Sequence, residues 1–155
     1  MVWGTTIMTD PPAAAGIAGS TYAPGMHRSR IGVFLIDHPE ESYDGAAGFW
    51  AAATGSERSR SAAPPGDDPY ESLAPLPGGE LLELQRTGGG TPPRIHLDLE
   101  TDNVAAEVER VVGLGASVIE ERDGYTILAD PGGMVFCVVP VQSGDHFARH
   151  ARTWR

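Results

Sequence analysis

The chain has 155 residues, room for one domain or two small fused modules, and its 21 Asp and Glu against 11 Arg give a formal net charge of −10. Lysine is absent, which excludes a Schiff-base lysine, a P-loop lysine and pyridoxal-phosphate chemistry. A surface this acidic, with no basic stripe, repels phosphate backbones and argues against nucleic acid as a partner, while a hydrophobic content of 41% suffices for a core.

Residues 1–27 are rich in Ala, Gly, Pro, Ser and Thr, lack periodicity and read as a flexible N-terminal tail. No Lys or Arg precedes Arg28, so the charged start of a secretory signal is missing. No apolar run approaches the roughly 18–20 residues that span a bilayer, so no membrane partner is expected. The single cysteine, Cys137, excludes an internal disulfide and a CxxC metal knuckle, and fits a reducing cytoplasm.

Arg30-Ile31-Gly32-Val33-Phe34-Leu35-Ile36-Asp37 predicts the first strand. A helix follows over about Glu41 to Thr54, with Tyr43, Ala46, Ala47, Trp50 and Ala53 as its buried side and Gly55 closing it. Pro64-Pro65-Gly66-Asp67-Asp68-Pro69 reads as a solvated turn, since the alternating ligands of a calcium loop are missing. Pro77-Gly78-Gly79 predicts a hairpin turn before the strand containing Glu83 and Gln85. Gly88-Gly89-Gly90 lacks the following helix and the Lys of a phosphate cradle, and residues 88–93 form a linker.

A second unit repeats the first. Arg94-Ile95-His96-Leu97-Asp98-Leu99 resembles Arg30 to Leu35, Tyr125 to Ala129 runs parallel to Tyr70 to Ala74, and Pro131-Gly132-Gly133 repeats Pro77-Gly78-Gly79. Strands are expected over 94–100, 116–122, 124–129 and 134–140. Between the first two lies a helix capped by Asp102 and Gly115, with a stripe of Val104, Val108, Val111, Val112 and Leu114 and with Glu107, Glu109 and Arg110 off it. The fold class is therefore α+β: two tandem βαβββ modules, 28–87 and 94–140, followed by a basic C-terminal tail over 141–155. Phe147 and Trp154 are expected to pin that tail to the domain or to a second subunit.

The tandem units, with Phe49-Trp50-Ala51-Ala52-Ala53-Thr54-Gly55, Leu84-Gln85-Arg86, His96-Leu97-Asp98-Leu99 and Leu128-Ala129-Asp130-Pro131-Gly132-Gly133, resemble the vicinal-oxygen-chelate superfamily over residues 28–140. More closely, they resemble its glyoxalase-like actinobacterial branch. The resemblance implies curved mixed sheets around one shared cavity that receives a small-molecule ligand, and a homodimer as one possible assembly. Its metal enzymes carry ligands on the first and last strands of each module, here Gly32, Glu83, His96 and Cys137. Gly32 has no donor, and Cys137 stands in an apolar strand where a usual carboxylate is missing, so Glu83, His96 and Cys137 make a poor set and no metal cofactor is expected.

Ligand-binding candidates are Phe34, Glu83, Gln85, His96, Asp98 and Cys137. His96 and Asp98 stand two apart on one strand face, the spacing of an imidazole and a carboxylate able to exchange a proton, and are the catalytic candidates. The bland alternative for the pair is a hydrogen-bonded couple in the sheet. Gly32 would leave space beside Phe34 as an apolar wall, and Tyr70 and Tyr125 would flank the cavity mouth. The expected function is binding of a small organic molecule without a catalytic metal. The alternatives are a metal-dependent lyase or isomerase acting on a small oxygenated metabolite, with Glu83 as ligand or base, and an accessory protein whose acidic surface binds a partner and whose cavity is vestigial.

Overall fold

A computed structural model of the chain describes residues 26–60 and 68–155. Residues 1–25 of the expected tail over 1–27 and most of the loop around Asp67 lie outside the described residues, and His27 at its end belongs to the first strand. The first module runs β1 (His27–Pro39), α1 (Glu40–Thr54), β2 (Ser59–Arg60), β3 (Tyr70–Ser72) and β4 (Leu81–Thr87). The second runs β5 (Arg94–Thr101), α2 (Val104–Gly113), β6 (Ser117–Arg122), β7 (Tyr125–Ala129) and β8 (Val135–Pro140), and is followed by α3 (Asp145–His150) and β9 (Arg152–Trp154).

The strands form one curved, open, mixed sheet in the order β2-β3-β4-β1-β5-β8-β7-β6. The first strands of the modules, β1 and β5, meet antiparallel at its centre. On either side the last strand of each module lies parallel to the first, β4 along β1 and β8 along β5, and the antiparallel hairpins continue outward. The expected pair of βαβββ units is thus present, with each half tracing the same path away from the seam. Both hairpin turns fall where expected, with Gly79 and Gly133 at φ 77° and 89°, a region glycine enters without steric cost. Among the described residues no helix is long and apolar enough to cross a membrane.

The helices α1 and α2 pack on one face of the sheet. Tyr43, Ala47 and Ala51, one turn apart on α1, close over Ile36, Leu73 and Leu84. Ala53 lies off that stripe and is exposed, contrary to expectation. Val111 of α2, flanked by Val104 and Val108, covers Leu128, Phe136 and Val138. Burial of Leu84 and Leu128, both without exposed surface, stabilises the fold by about 2–3 kcal/mol each.

Three expectations about α2 are corrected. Asn103, not Asp102, is the N-cap: its side chain accepts from Ala106 N, while Asp102 accepts from the backbone of Arg28. Val112 and Leu114 are exposed, since they fall outside the arc through positions 104, 108 and 111. Glu107 flanks that arc on the side covered by His27 and Ser29 of β1 and is fully buried.

The segment after β8 is folded rather than a plain tail. Phe147 of α3 is buried, and β9 pairs with the start of β1, His27 opposite Trp154. That pairing extends β1 three residues ahead of its expected start at Arg30.

Candidate functional site

Alternation along β5 turns Leu97 and Leu99 under α2 and turns His96, Asp98 and Glu100 to the face opposite α1 and α2. Register carries this face across the sheet. Leu35 and Asp37 of β1 lie beside His96 and Arg94, Glu83 and Gln85 of β4 lie beside Leu35 and Asp37, and Cys137 of β8 lies beside Asp98. Tyr70 on β3 lies beside Gln85. Glu83, Gln85, His96, Asp98 and Cys137 therefore share one face.

Phe34 does not join them. The pairing of β1 with β5 slips by one residue between Ile31 and Val33, and beyond the slip Phe34 pairs with Leu97 and Leu82 on the helix side. The bulge also changes which residues of the two modules correspond. Leu35 lies beside Glu83 as Asp98 lies beside Cys137, so the counterpart of His96 is Val33 rather than Gly32. Nor does Gly32 leave room for a ligand, because a side chain there would run into Glu100.

At the centre of the face is a chain of polar groups. Asp37, with no exposed surface, accepts through Oδ2 from Arg94 Nε at 2.7 Å and from His96 Nδ1 at 2.9 Å. An ionised carboxylate only accepts, so this bond places a hydrogen on Nδ1 and turns Nε2 the other way. There Nε2 lies 3.6 Å from Asp98 Oδ1, and Cys137 is the neighbour of Asp98 across the β5–β8 pairing. The ligating atoms of His96, Asp98 and Cys137 all stand within 4.8 Å of one another. Asp98 Oδ1 and Asp37 Oδ1 are buried without a hydrogen-bond partner.

Burial dominates the electrostatics here. It pushes the Asp98 carboxyl up to about 6 against the pull of His96, with Glu83 adding to the rise. It raises Glu83, whose carboxylate accepts from Ser72 Oγ at 3.4 Å, and it lifts the Cys137 thiol well above the usual thiol range. The Tyr70 hydroxyl, which accepts from Gln85 Nε2 at 3.1 Å, is raised first by burial and then by Asp98, Tyr125, Cys137 and Glu83. β3 and β7 are separated in the sheet by β4, β1, β5 and β8, so mutual influence of Tyr70 and Tyr125 reflects the curvature of the sheet.

Two hollows among the described residues lie near the sheet. One of about 160 Å³ lies on the helix side between Ile31, Leu97, Leu99, Met134 and Phe136. One of about 60 Å³ lies beside Tyr125 and Val139 at the edge of the face opposite α1 and α2. Neither is lined by His96, Asp98 or Cys137, which are only 4%, 7% and 6% exposed.

Two other buried carboxylates serve the architecture. Glu100 holds the chain after β8, accepting from the backbones of Gln142 and Ser143 at 2.7 and 2.8 Å and from the Ser143 hydroxyl. Glu107 accepts from His27, Ser29 and Arg110, and Arg110 in turn lies 4.0 Å from the centre of the Trp154 ring.

Sequence reasoning missed Asp37 and Arg94 as parts of the site. Their signal was an acidic residue ending an apolar strand and a lone Arg two positions before His96. Only pairing of the two strands makes them neighbours.

A family model described as a glyoxalase-like domain matches residues 34–139. Among solved structures, methylmalonyl-CoA epimerase in complex with methylmalonyl-CoA and NH4+ has a TM-score of 0.51 at 16% identity, over 73% of this chain and 94% of that one. A variant of Streptomyces coelicolor methylmalonyl-CoA epimerase in complex with 2-nitronate-propionyl-CoA has a TM-score of 0.50 at 18% identity, over 72% of this chain and 93% of that one. At these identities the likeness is one of fold. No curated protein matches the chain.

Proposed function

The chain belongs to the glyoxalase-like domain family, and from that premise we propose that it binds a small oxygenated organic molecule on the sheet face opposite α1 and α2 and moves a proton on it through His96 and Asp98. The observation that carries this reading is the line from Asp37 through His96 to Asp98. Asp37 fixes the ring and its tautomer, and Nε2 is left facing a carboxyl group that lacks a hydrogen-bond donor on Oδ1. A ligand hydroxyl or enol placed between them exchanges its proton with either group. Glu83 and Gln85, on the same face one strand beyond β1, supply polar contacts that orient the ligand.

The fold family implies a divalent metal shared by both modules. The counterpart positions in this chain are Val33, Glu83, His96 and Cys137, and Val33 offers no donor. These residues do not fit an ion held between the two halves. A metal-dependent lyase or isomerase with Glu83 as ligand or base lacks the donor that the first module would contribute.

Because the central residues are buried, a ligand reaches them only when the side chains covering them move. A screen of small hydroxy- and oxo-acids, aldehydes and enols against metal-stripped protein tests the reading, with binding followed by thermal shift and by the imidazole resonances of His96. A ligand that moves those resonances and loses at least tenfold in affinity with His96→Ala supports it. Affinity unchanged in that variant removes His96 from the site.

A further inference from the structure

We infer that the molecule bound on this face is a small carboxylate carrying a second oxygen, such as a 2-hydroxy or 2-oxo acid, and that Arg94 holds its carboxylate end. This rests on the proton-transfer reading above, to which it adds the class of ligand and the group that recognises it.

Arg94, His96 and Asp98 follow one another at two-residue intervals on β5, so their side chains stand in a row on one face. Asp37 Oδ2 accepts from Arg94 Nε at 2.7 Å and from His96 Nδ1 at 2.9 Å. One carboxylate oxygen thus ties the guanidinium to the imidazole, and the two nitrogens stand no farther apart than those bonds laid end to end. The contact to Asp37 uses Nε and leaves the two terminal Nη nitrogens of Arg94 without a hydrogen bond among the described residues. Those nitrogens form the planar fork that matches a carboxylate bidentately. The imidazole comes next along the row and the Asp98 carboxyl after it, so the second oxygen of a short acid held by Arg94 extends toward the pair that exchanges protons.

Bonding and exposure single this arginine out. Register turns Arg30, beside Glu100, and Arg122, beside Tyr125, to the same face. Each of them gives Nη2 to a glutamate at 2.9 Å, Arg30 to Glu80 and Arg122 to Glu120. Of the three, Arg94 alone keeps both Nη nitrogens for an outside group. Its side chain is 35% exposed, whereas those of Asp37 and His96 are 0% and 6% exposed. A ligand therefore meets Arg94 first, before the imidazole is uncovered. Charge makes such an anchor necessary for an acid. Asp37, Glu83 and Asp98 share the face, and the chain carries a formal net charge of −10, so an anion is repelled unless a cation receives it.

The test titrates glycolate, lactate and pyruvate into the whole chain, beside their amides, which keep the second oxygen and lose the charge. The Nε–H resonance of Arg94 and the imidazole resonances of His96 report binding. The acids are expected to move the Arg94 resonance and to bind about 10–100-fold more tightly than the amides, the worth of a charge-assisted bidentate contact. Arg94→Lys keeps a cation beside Asp37 but lacks the fork, and is expected to lose most of that preference while the amides bind as before. No acid bound to the wild-type chain, or acids bound no more tightly than amides, overturns the inference without recourse to a variant. A preference that survives in Arg94→Lys overturns it too, as does an equal weakening of acids and amides, the mark of a purely structural arginine. The outcome is distinguishable from that of the reading it rests on. A preference that is lost with Arg94→Lys and untouched by His96→Ala upholds the anchor and removes the imidazole from the site, whereas ligands that need His96 but show no preference for acids remove the anchor alone.

Discussion

Glu100, fully buried on β5, fills the space where a side chain at Gly32 would stand. The glycine and the carboxylate are complementary. Gly32 forms the bulge that resets the β1–β5 register, and Glu100 uses the room to reach the backbone of Gln142 and Ser143. Gly32→Ala therefore forces apart two packed segments without a backbone penalty, since Gly32 is not at positive φ. The expected loss is about 1–3 kcal/mol, typical of overpacking. Urea denaturation checks it, with an unchanged slope and a lower midpoint; an unchanged midpoint counts against the packing account.

Glu107 makes stability depend on acid. Burial pushes its carboxyl up, but hydrogen bonds from Arg110, His27 and Ser29 outweigh that and hold it below its ordinary value of 4.5. A lowered folded value means that the stabilisation is present above the unfolded value and disappears as pH falls through the folded one. Glu107→Gln is expected to cost about 3 kcal/mol near neutrality, because it strips charge from a buried pair. Melting temperatures of variant and wild type should then converge as pH falls below 4.5 and through the lowered folded value. Curves that stay parallel down to acid pH contradict the assignment.

The cap of α2 separates two adjacent residues. Asn103→Ala removes the acceptor for Ala106 N and is expected to cost about 1 kcal/mol, with faster amide exchange in the first turn of the helix. Asp102→Ala instead frees the Arg28 amide and leaves exchange in that turn unchanged. Site-resolved hydrogen exchange distinguishes them.

Cys137 is expected to resist thiol reagents in the native state. It is buried, and burial followed by the neighbouring Asp98 and Asp37 keeps its proton on the sulfur at neutral pH. Labelling by a disulfide reagent should follow global unfolding in denaturant. Rapid labelling of native protein contradicts this burial.

The sequence alone indicated the order of elements. Helical spacing, two Pro-Gly-Gly turns and the internal repeat led to two βαβββ units, because periodicity and turn chemistry are local properties of the chain. The polar face was legible for the same reason, since His96 and Asp98, like Glu83 and Gln85, stand two apart on strands.

What only the tertiary structure decided is how the two halves meet. A one-residue bulge at Gly32 moves Phe34 to the helix side, makes Val33 the counterpart of His96 and brings Asp37 to the imidazole. A register shift of one residue changes which side chains face each other, and it depends on pairing between strands more than fifty residues apart, which no local pattern encodes. The burial of Glu100 and Glu107 was hidden likewise, because their partners come from distant segments and a carboxylate by itself reads as solvent-facing.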